Sequence, residues 1–191
     1  NKIIRKLLKK LNFPLAMPSA NKSSSISPVK PLDVFEEFHN KVKVVDGGAS
    51  KIGIESTVLN LVGSVCILRP GIITPKQIKN VLKTKIKILS RQTVIKSPGS
   101  LKKHYSPGIP MFINKKKCPG NYAFITFGKK YPVTRNSFNL SRKSNLKEAA
   151  KNLYKFFRNI KKKGYKRIYV AKIPNKGIGI AINDRLKRAS K

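Results

Sequence analysis

Apolar residues at the start of the chain recur at helical spacing. Ile3, Ile4, Leu7, Leu8 and Leu11 predict an amphipathic helix over 2–11, ended by Asn12 and Pro14. A short apolar segment, Phe13 to Met17, then leads into Pro18-Ser19-Ala20-Asn21. Next come Ser23, Ser24, Ser25, Ser27 and Pro28, a stretch too polar to pack a core, so it is either a linker or a binding loop. Pro31 opens a second helix, with Val34, Phe35 and Phe38 on its inner side. Val42, Val44 and Val45 predict a strand that stops at Asp46-Gly47-Gly48. Two further strands, roughly Ser56 to Val62 and Val65 to Arg69, are separated by Gly63-Ser64 and read as a tight antiparallel hairpin. Thr74 caps a helix with Pro75 at its first position and Ile78, Val81 and Leu82 on one face. Lys85 to Leu89 alternates like an edge strand.

The pattern breaks from Arg91 to Pro110. Ser97-Pro98-Gly99-Ser100 and His104-Tyr105-Ser106-Pro107-Gly108 are turn-rich and lack periodicity, so 91–110 reads as an interdomain linker. Beyond it the order is β-α-β-α: a strand over Tyr122 to Phe127, a helix over Asn145 to Lys163, a strand over Arg167 to Ile173 and a helix over Ile178 to Ala189. Strands alternating with helices imply parallel pairing in a small α/β domain. The expected units are 1–90, the linker 91–110, and 111–191. Phe124, Phe127, Phe156 and Phe157 fall in apolar patterns that suggest core.

Composition changes this picture in one respect. Lys+Arg is 43 against Asp+Glu 7, a net charge of +36, and such a balance points to nucleic acid or anionic surfaces. The lysines are spread along the whole chain, ordinary helix faces included, so a lysine-rich proteome explains them equally well. Cys66 and Cys118 show no metal-ligand spacing. Cys66 sits in an apolar run as a buried small hydrophobe, and a reducing compartment is the default. No apolar stretch approaches the ~18 residues of a membrane span.

The chemistry-bearing residues are small polar groups and cations beside apolar stretches. Ser19 and Asn21, two apart, point the same way in an extended segment and can donate to one anion. An Asx or Ser turn after Pro18 explains the same spacing. Glu55, Ser56 and Thr57 open a strand, where Glu55 serves a structural salt bridge and the hydroxyls satisfy edge backbone groups, or all three face a ligand. Arg69, at a strand end before Pro70-Gly71, can grip phosphate or carboxylate in bidentate fashion, or simply hold the strand end. His104 and Tyr105 offer a stacking face and a donor. Gly177-x-Gly179 before the last helix resembles a phosphate loop but lacks the third glycine of a dinucleotide fingerprint.

Taken in order, these segments resemble the threonylcarbamoyl-AMP synthase family, in its longer two-domain form with a YrdC-like catalytic domain. The residues that carry the resemblance are Phe13 to Asn21, Ser27-Pro28, Asp46-Gly47-Gly48, Gly53-Ile54-Glu55-Ser56-Thr57-Val58 and Ile67-Leu68-Arg69-Pro70-Gly71. They continue with Ser97 to Pro107 and with Gly177-Ile178-Gly179 through Asn183-Asp184-Arg185-Leu186. The implied fold is α/β: the C-terminal part of a YrdC-like twisted-sheet domain, a linker, and a small Rossmann-like domain. The family's Lys and Arg pair would lie ahead of Asn1. The chain is therefore expected to hold about half a catalytic domain and to be inactive alone.

The resemblance implies a nucleotidyltransferase. ATP, L-threonine and bicarbonate are its substrates, Mg2+ accompanies ATP, and threonylcarbamoyl-AMP and pyrophosphate are its products. The product serves the tRNA-modification machinery that acts at position 37. By similarity, Ser19 and Asn21 belong to the catalytic set around the ATP phosphates and threonine. Met17 and Ser56 would meet threonine. Ser27, Arg69 and Tyr105 would meet ATP, with the linker around Tyr105 folding over the nucleotide as a lid. Ser100 stands where the family pattern has Met or a similar residue. A cytoplasmic location, no membrane partner and a weak RNA contact through the basic surface complete the expectations. The rival reading is a basic RNA-binding protein without catalytic activity, which should gather its cations and exposed aromatics on one face. A third is that the second domain is mainly a docking module.

Overall fold

The computed structural model describes residues 1–39, 41–84, 86–88 and 104–191. Helix α1 spans Lys2–Leu8, shorter than the expected 2–11. Asn1 caps it, its side chain accepting from the Ile3 and Ile4 amides. Helix α2 covers Pro31–Phe38. Of the predicted inner residues, Val34 and Phe38 are half-buried and Phe35 is 47% exposed; the one buried residue of the helix is Asp33, 2% exposed. The reason is polar. Asp33 accepts from the Val29 and Lys30 amides at 2.8 and 3.1 Å, closing the helix N-terminus.

The valines at 42, 44 and 45 form no strand; residues 41–50 are irregular. Val45 is 70% exposed, so nothing packs on the face that a strand there would need to bury. The hairpin is present but wider than the expected Gly63-Ser64 turn: β1 (Val58–Asn60) pairs antiparallel with β2 (Cys66–Arg69), leaving residues 61–65 between the strands. Asn60 holds the turn by donating to the Val62 and Ser64 carbonyls, and Gly63 takes φ +68. Thr74 and Gln77 form the reciprocal box that starts α3 (Pro75–Leu82). That helix buries little, since Val81 is 78% exposed. Strand β3 (Lys87–Ile88) adds parallel to β2, giving a three-stranded mixed sheet of order β1-β2-β3.

The second sheet is wholly parallel, of order β4-β7-β5-β6. It is built from β4 (Met111–Phe112), β5 (Ala123–Thr126), β6 (Ser137–Asn139) and β7 (Ile168–Val170). The short strands β4 and β6 carry too few residues to show a period, and the sequence pattern missed both. Helices α4 (Leu146–Lys162) and α5 (Gly179–Ala189) match the expected segments. Asn145 caps α4 through the Lys147 and Glu148 amides. Met111, Ala123, Ile125, Phe138, Ile168 and Val170 bury one face of this sheet against the apolar stripes of α4 and α5. Phe124 alternates to the other face, where it is only half-buried and meets Tyr131 edge-on.

The same core continues into the first third of the chain. Ile26, Ile54 and Tyr105 join the cluster formed by the residues of α4 and α5. Most of the expected linker, 91–103, lies outside the described residues. At its end, Tyr105 is 1% exposed, and Ser106 bridges in parallel to Ser25.

Candidate functional site

Arg69 ends β2 beside a register shift between Val58 and Leu59. Val58 pairs with Arg69 and Leu59 with Ile67, so Leu68 is the extra residue. A bulge of this kind bends the strand and re-aims its side chains. Here Arg69 reaches back across the hairpin to Ser56, its Nε donating to the Ser56 carbonyl at 3.0 Å and its Nη2 to Oγ at 3.2 Å. Ser56 is exposed and Arg69 half-exposed, so a hydroxyl and a guanidinium stand together at the surface. Thr57 Oγ1 donates to the Ile73 carbonyl at 2.7 Å and fixes the same crossing. Gly71 permits it, because a Cβ there would lie 2.3 Å from the Thr57 nitrogen.

Behind this pair lies a buried polar cluster. Glu55 Oε2 accepts from Arg185 Nε at 2.7 Å and from the Tyr154 hydroxyl at 3.0 Å. Its Oε1 accepts from Ser27 Oγ. Arg185 is 0% exposed. It also donates through Nη1 to the Pro70 carbonyl at 2.9 Å and to Asp184 at 2.7 Å, and its guanidinium lies 5.0 Å from the centre of the Tyr105 ring. Tyr105 stacks on Tyr154 at 5.9 Å and meets His104 edge-on at 4.0 Å.

Charge states follow from these contacts. Burial pushes the Glu55 carboxyl up, but the Arg185 charge and the hydrogen bonds from Ser27 and Arg185 outweigh it, so its pKa is lowered. Burial opposes the Arg185 charge, yet Tyr154, Glu55, Tyr105 and Asp184 around it raise its pKa. The pair is therefore ionised. Burial raises the Tyr154 phenol well above its ordinary value, and Glu55 adds to this. His104 is lowered, by burial first and by Arg188, Arg185 and Arg69 against the pull of Glu55, which keeps the imidazole neutral at pH 7.

The structure therefore brings Ser27, Ser56, Arg69 and Tyr105 around one centre, Glu55 and Arg185. Met17, Ser19 and Asn21 belong to an exposed segment of irregular chain. The Asn21 amide donates to the Lys22 and Ser25 carbonyls at 2.9 and 3.3 Å, and its backbone nitrogen to Ser19 at 3.0 Å. These bonds tie the segment to itself, but they are not the Asx turn of the alternative reading, because Asn21 Oδ1 accepts from no donor among the described residues. Glu55 is in the structural ion pair that its scarcity suggested. In the sequence, Arg185 enters only within the family resemblance, and neither Arg185 nor Tyr154 is given a role at the site. The signal for Arg185 was present: Ile178, Ala181, Ile182, Leu186 and Ala189 mark the buried stripe of α5, and Arg185 falls within it. Gly177-x-Gly179 has a backbone explanation, since Gly177 takes φ +52 and a Cβ on Gly179 would meet the Pro174 carbonyl at 1.9 Å.

Comparison with known proteins finds matches along the whole chain. Residues 73–191 match the family described as threonylcarbamoyl-AMP synthase, C-terminal domain, and residues 1–71 match a Sua5/YciO/YrdC family described as telomere recombination. The threonylcarbamoyl-AMP synthase of Pyrococcus abyssi (strain GE5 / Orsay) is 31% identical over 212 aligned positions, covering 100% of this chain and 62% of that protein. The protein of the same name from Bacillus subtilis (strain 168) is 31% identical, covering 96% of this chain and 59% of its own length. The crystal structure of P. abyssi Sua5 complexed with L-threonine superposes with a TM-score of 0.86 at 28% identity, over 100% of this chain and 62% of that one. The chain thus spans about three-fifths of the length of the relatives it matches, and by these matches it belongs to the threonylcarbamoyl-AMP synthase family.

Proposed function

We propose that this chain forms part of an L-threonylcarbamoyladenylate synthase, a nucleotidyltransferase. The observation that supports this most is the Ser56–Arg69 pair, a neutral donor and a cation 3.2 Å apart at the surface, in a chain of this family. In the proposed reaction the threonine nitrogen bonds to the bicarbonate carbon with loss of water, giving a carbamate. A carbamate oxygen then attacks the α-phosphorus of ATP. The bond from that phosphorus to the bridging oxygen breaks, and pyrophosphate leaves with its electron pair.

This chemistry asks the protein to hold several anions in line and to aim donors and cations at the developing charge. Ser56 binds threonine through its hydroxyl. Arg69 meets a phosphate of ATP, and its two nitrogens on Ser56 set the separation between the two substrates. Ser27 contacts ATP, with its hydroxyl oriented by Glu55. Ser19 and Asn21 complete the phosphate contacts, and the Met17 backbone meets threonine. Tyr105 sits inside the molecule against Arg185 and Tyr154, so its proposed part in a lid requires that ring to leave its packing.

Mg2+ is proposed to arrive on ATP, as part of the substrate. Among the described residues no group of three or more His, Cys, Asp or Glu could hold a metal, and Glu55 is committed to Arg185, Ser27 and Tyr154. The product is proposed to pass to tRNA-modification enzymes that consume threonylcarbamoyl-AMP. A cytoplasmic location accords with this role. Among the described residues no helix is long and apolar enough to cross a membrane.

The test is product detection by mass spectrometry with the native protein, alongside pyrophosphate release. Release that depends on both threonine and bicarbonate is expected. Release indifferent to threonine would overturn the assignment.

A further inference from the structure

Three candidates stand out beyond the substrate contacts. A cleft of about 220 Å³ between α2 and α4 mixes Glu36 and Glu37 with Arg158, Lys161 and Lys162. Both of its carboxylates are already paired, Glu37 with Arg158 at 3.6 Å and Glu36 with Lys162 at 2.5 Å, and the lysine that remains, Lys161, selects no ligand class by itself. The half-exposed face of the parallel sheet carries Phe112, Tyr169 and Tyr122 in a stack capped by Arg167, and these rings satisfy one another. The third candidate, the buried guanidinium of Arg185, touches the residues that flank the proposed substrate contacts.

We infer that Arg185 is a positioning residue for the substrate site, reaching from α5 to fix the Ser56–Arg69 pair. The inference rests on the reading of Ser56 and Arg69 given above. Glu55, which Arg185 binds at 2.7 Å, immediately precedes Ser56. Pro70, whose carbonyl it binds at 2.9 Å, immediately follows Arg69. One rigid planar group therefore ties the two chain segments that carry the substrate contacts, from positions 130 and 115 residues away in sequence. The third proposed contact, Ser27, is held by the other oxygen of the same carboxylate.

A purely structural role would not call for this chemistry. A buried ion pair is costly to desolvate, and apolar residues of similar volume usually replace one with no loss of stability. The fork geometry matters more. A guanidinium can bind a carboxylate and a carbonyl at once in fixed directions, and an ammonium on a flexible stem cannot. Nε, on the Glu55 carboxylate, sets where Ser56 stands, and Nη1, on the Pro70 carbonyl, sets Arg69. α5 is thereby linked to a site that its own residues do not enter.

The experiment compares the native protein with Arg185→Lys and with the double variant Glu55→Met/Arg185→Met. Hydrogen exchange is followed by mass spectrometry on peptides covering 54–58 and 68–72, with 123–126 as the internal reference. Arg185→Lys keeps the positive charge but loses the planar fork that holds Glu55 and the Pro70 carbonyl in fixed directions. It should speed exchange at least tenfold at 54–58 and 68–72 while leaving 123–126 unchanged. In the activity assay it should lower kcat/KM at least tenfold for both threonine and ATP. The double variant should regain the native melting temperature without regaining that activity. Unchanged exchange at both segments in Arg185→Lys would overturn the inference, as would native kcat/KM in a folded double variant. If the double variant does not fold, the lysine variant decides alone. A native protein that makes no threonylcarbamoyl-AMP, together with the expected exchange pattern, would instead refute the functional reading and leave the positioning intact.

Discussion

Gly71→Ala should be among the most damaging single-methyl changes available in this chain. The added Cβ would lie 2.3 Å from the Thr57 nitrogen, 2.5 Å from the Ser56 carbonyl carbon and 2.7 Å from the Glu55 oxygen. Ordinary contact between such atoms needs about 3.5–4.0 Å. All three neighbours are backbone, so no side-chain rotation relieves the overlap. Overpacking in a well-ordered interior costs about 1–3 kcal/mol. Three simultaneous backbone overlaps put this case at the upper end, about 3 kcal/mol. Gly63→Ala is the natural comparison. Nothing lies within 4 Å of a Cβ there, and the only penalty is its φ of +68, worth about 1–2 kcal/mol for the left-handed region. Urea denaturation of both variants, fitted for midpoint and slope, measures the difference. Because the clash forces residues 55–57 away from 69–71, Gly71→Ala should also weaken threonine binding by calorimetry, and Gly63→Ala should not. A Gly71→Ala variant within about 0.5 kcal/mol of native, the range of an ordinary surface change, would refute the close crossing of these two segments.

Glu55→Gln tests the ion pair through pH. The folded pKa of Glu55 is lowered from its ordinary 4.5, so its charge stabilises the fold above 4.5 and that contribution is lost as pH falls through the folded value. The stability gap between native and Glu55→Gln should hold steady from neutral pH to about 5 and then shrink; a gap that widened on acidification would contradict the pairing. Tyr154→Phe removes a donor to that carboxylate at 3.0 Å and should cost about 1.5–3 kcal/mol in chemical denaturation, with no cost meaning that the hydroxyl is redundant. Arg69→Ala should chiefly impair ATP use, and Ser56→Ala should chiefly raise the threonine requirement. Equal effects of both variants on both substrates would contradict the division of roles proposed for them.

Helices with strong caps were legible in the sequence because their signals are local. Thr74-Pro75 and Asn145 each mark a start through side chains within three residues. The hairpin was legible for the same reason. The false strand at Val42 to Val45 shows the limit of β-propensity, which expresses packing on a half-buried surface more than backbone preference. Strands β4 and β6 exist only because β7 and β5 lie beside them. At the site, Ser56 and Arg69 were both singled out, but their contact depends on a bulge at Leu68 that no residue type announces. The sequence places Tyr105 in a linker expected to fold over the nucleotide, and its burial against Arg185 and Tyr154 is not legible there because both partners lie far away in sequence.

The scarcity of acids in this chain gives each one unusual weight. Seven carboxylates face 43 Lys and Arg residues, so cations without partners are the rule and the placement of each acid is informative. Asp33, Glu36, Glu37 and Glu55 all pair with cations of α4 or α5, namely Arg158, Lys162 and Arg185. Asp184 braces Arg185 and Arg188 on α5 itself. Most of the negative charge therefore lies along the seam between the first third of the chain and the two long helices. That seam is also where Ile26, Ile54 and Tyr105 enter the core. The Lys162–Glu36 pair at its rim is exposed, with side chains 56% and 36% accessible, and such pairs contribute little and are screened by salt. The Glu55–Arg185 pair at its centre is buried and resists screening. Charge alone would drive the segments of so basic a chain apart. The few acids are spent where they oppose that repulsion and, at Glu55, where they also fix the residues proposed to hold the substrates.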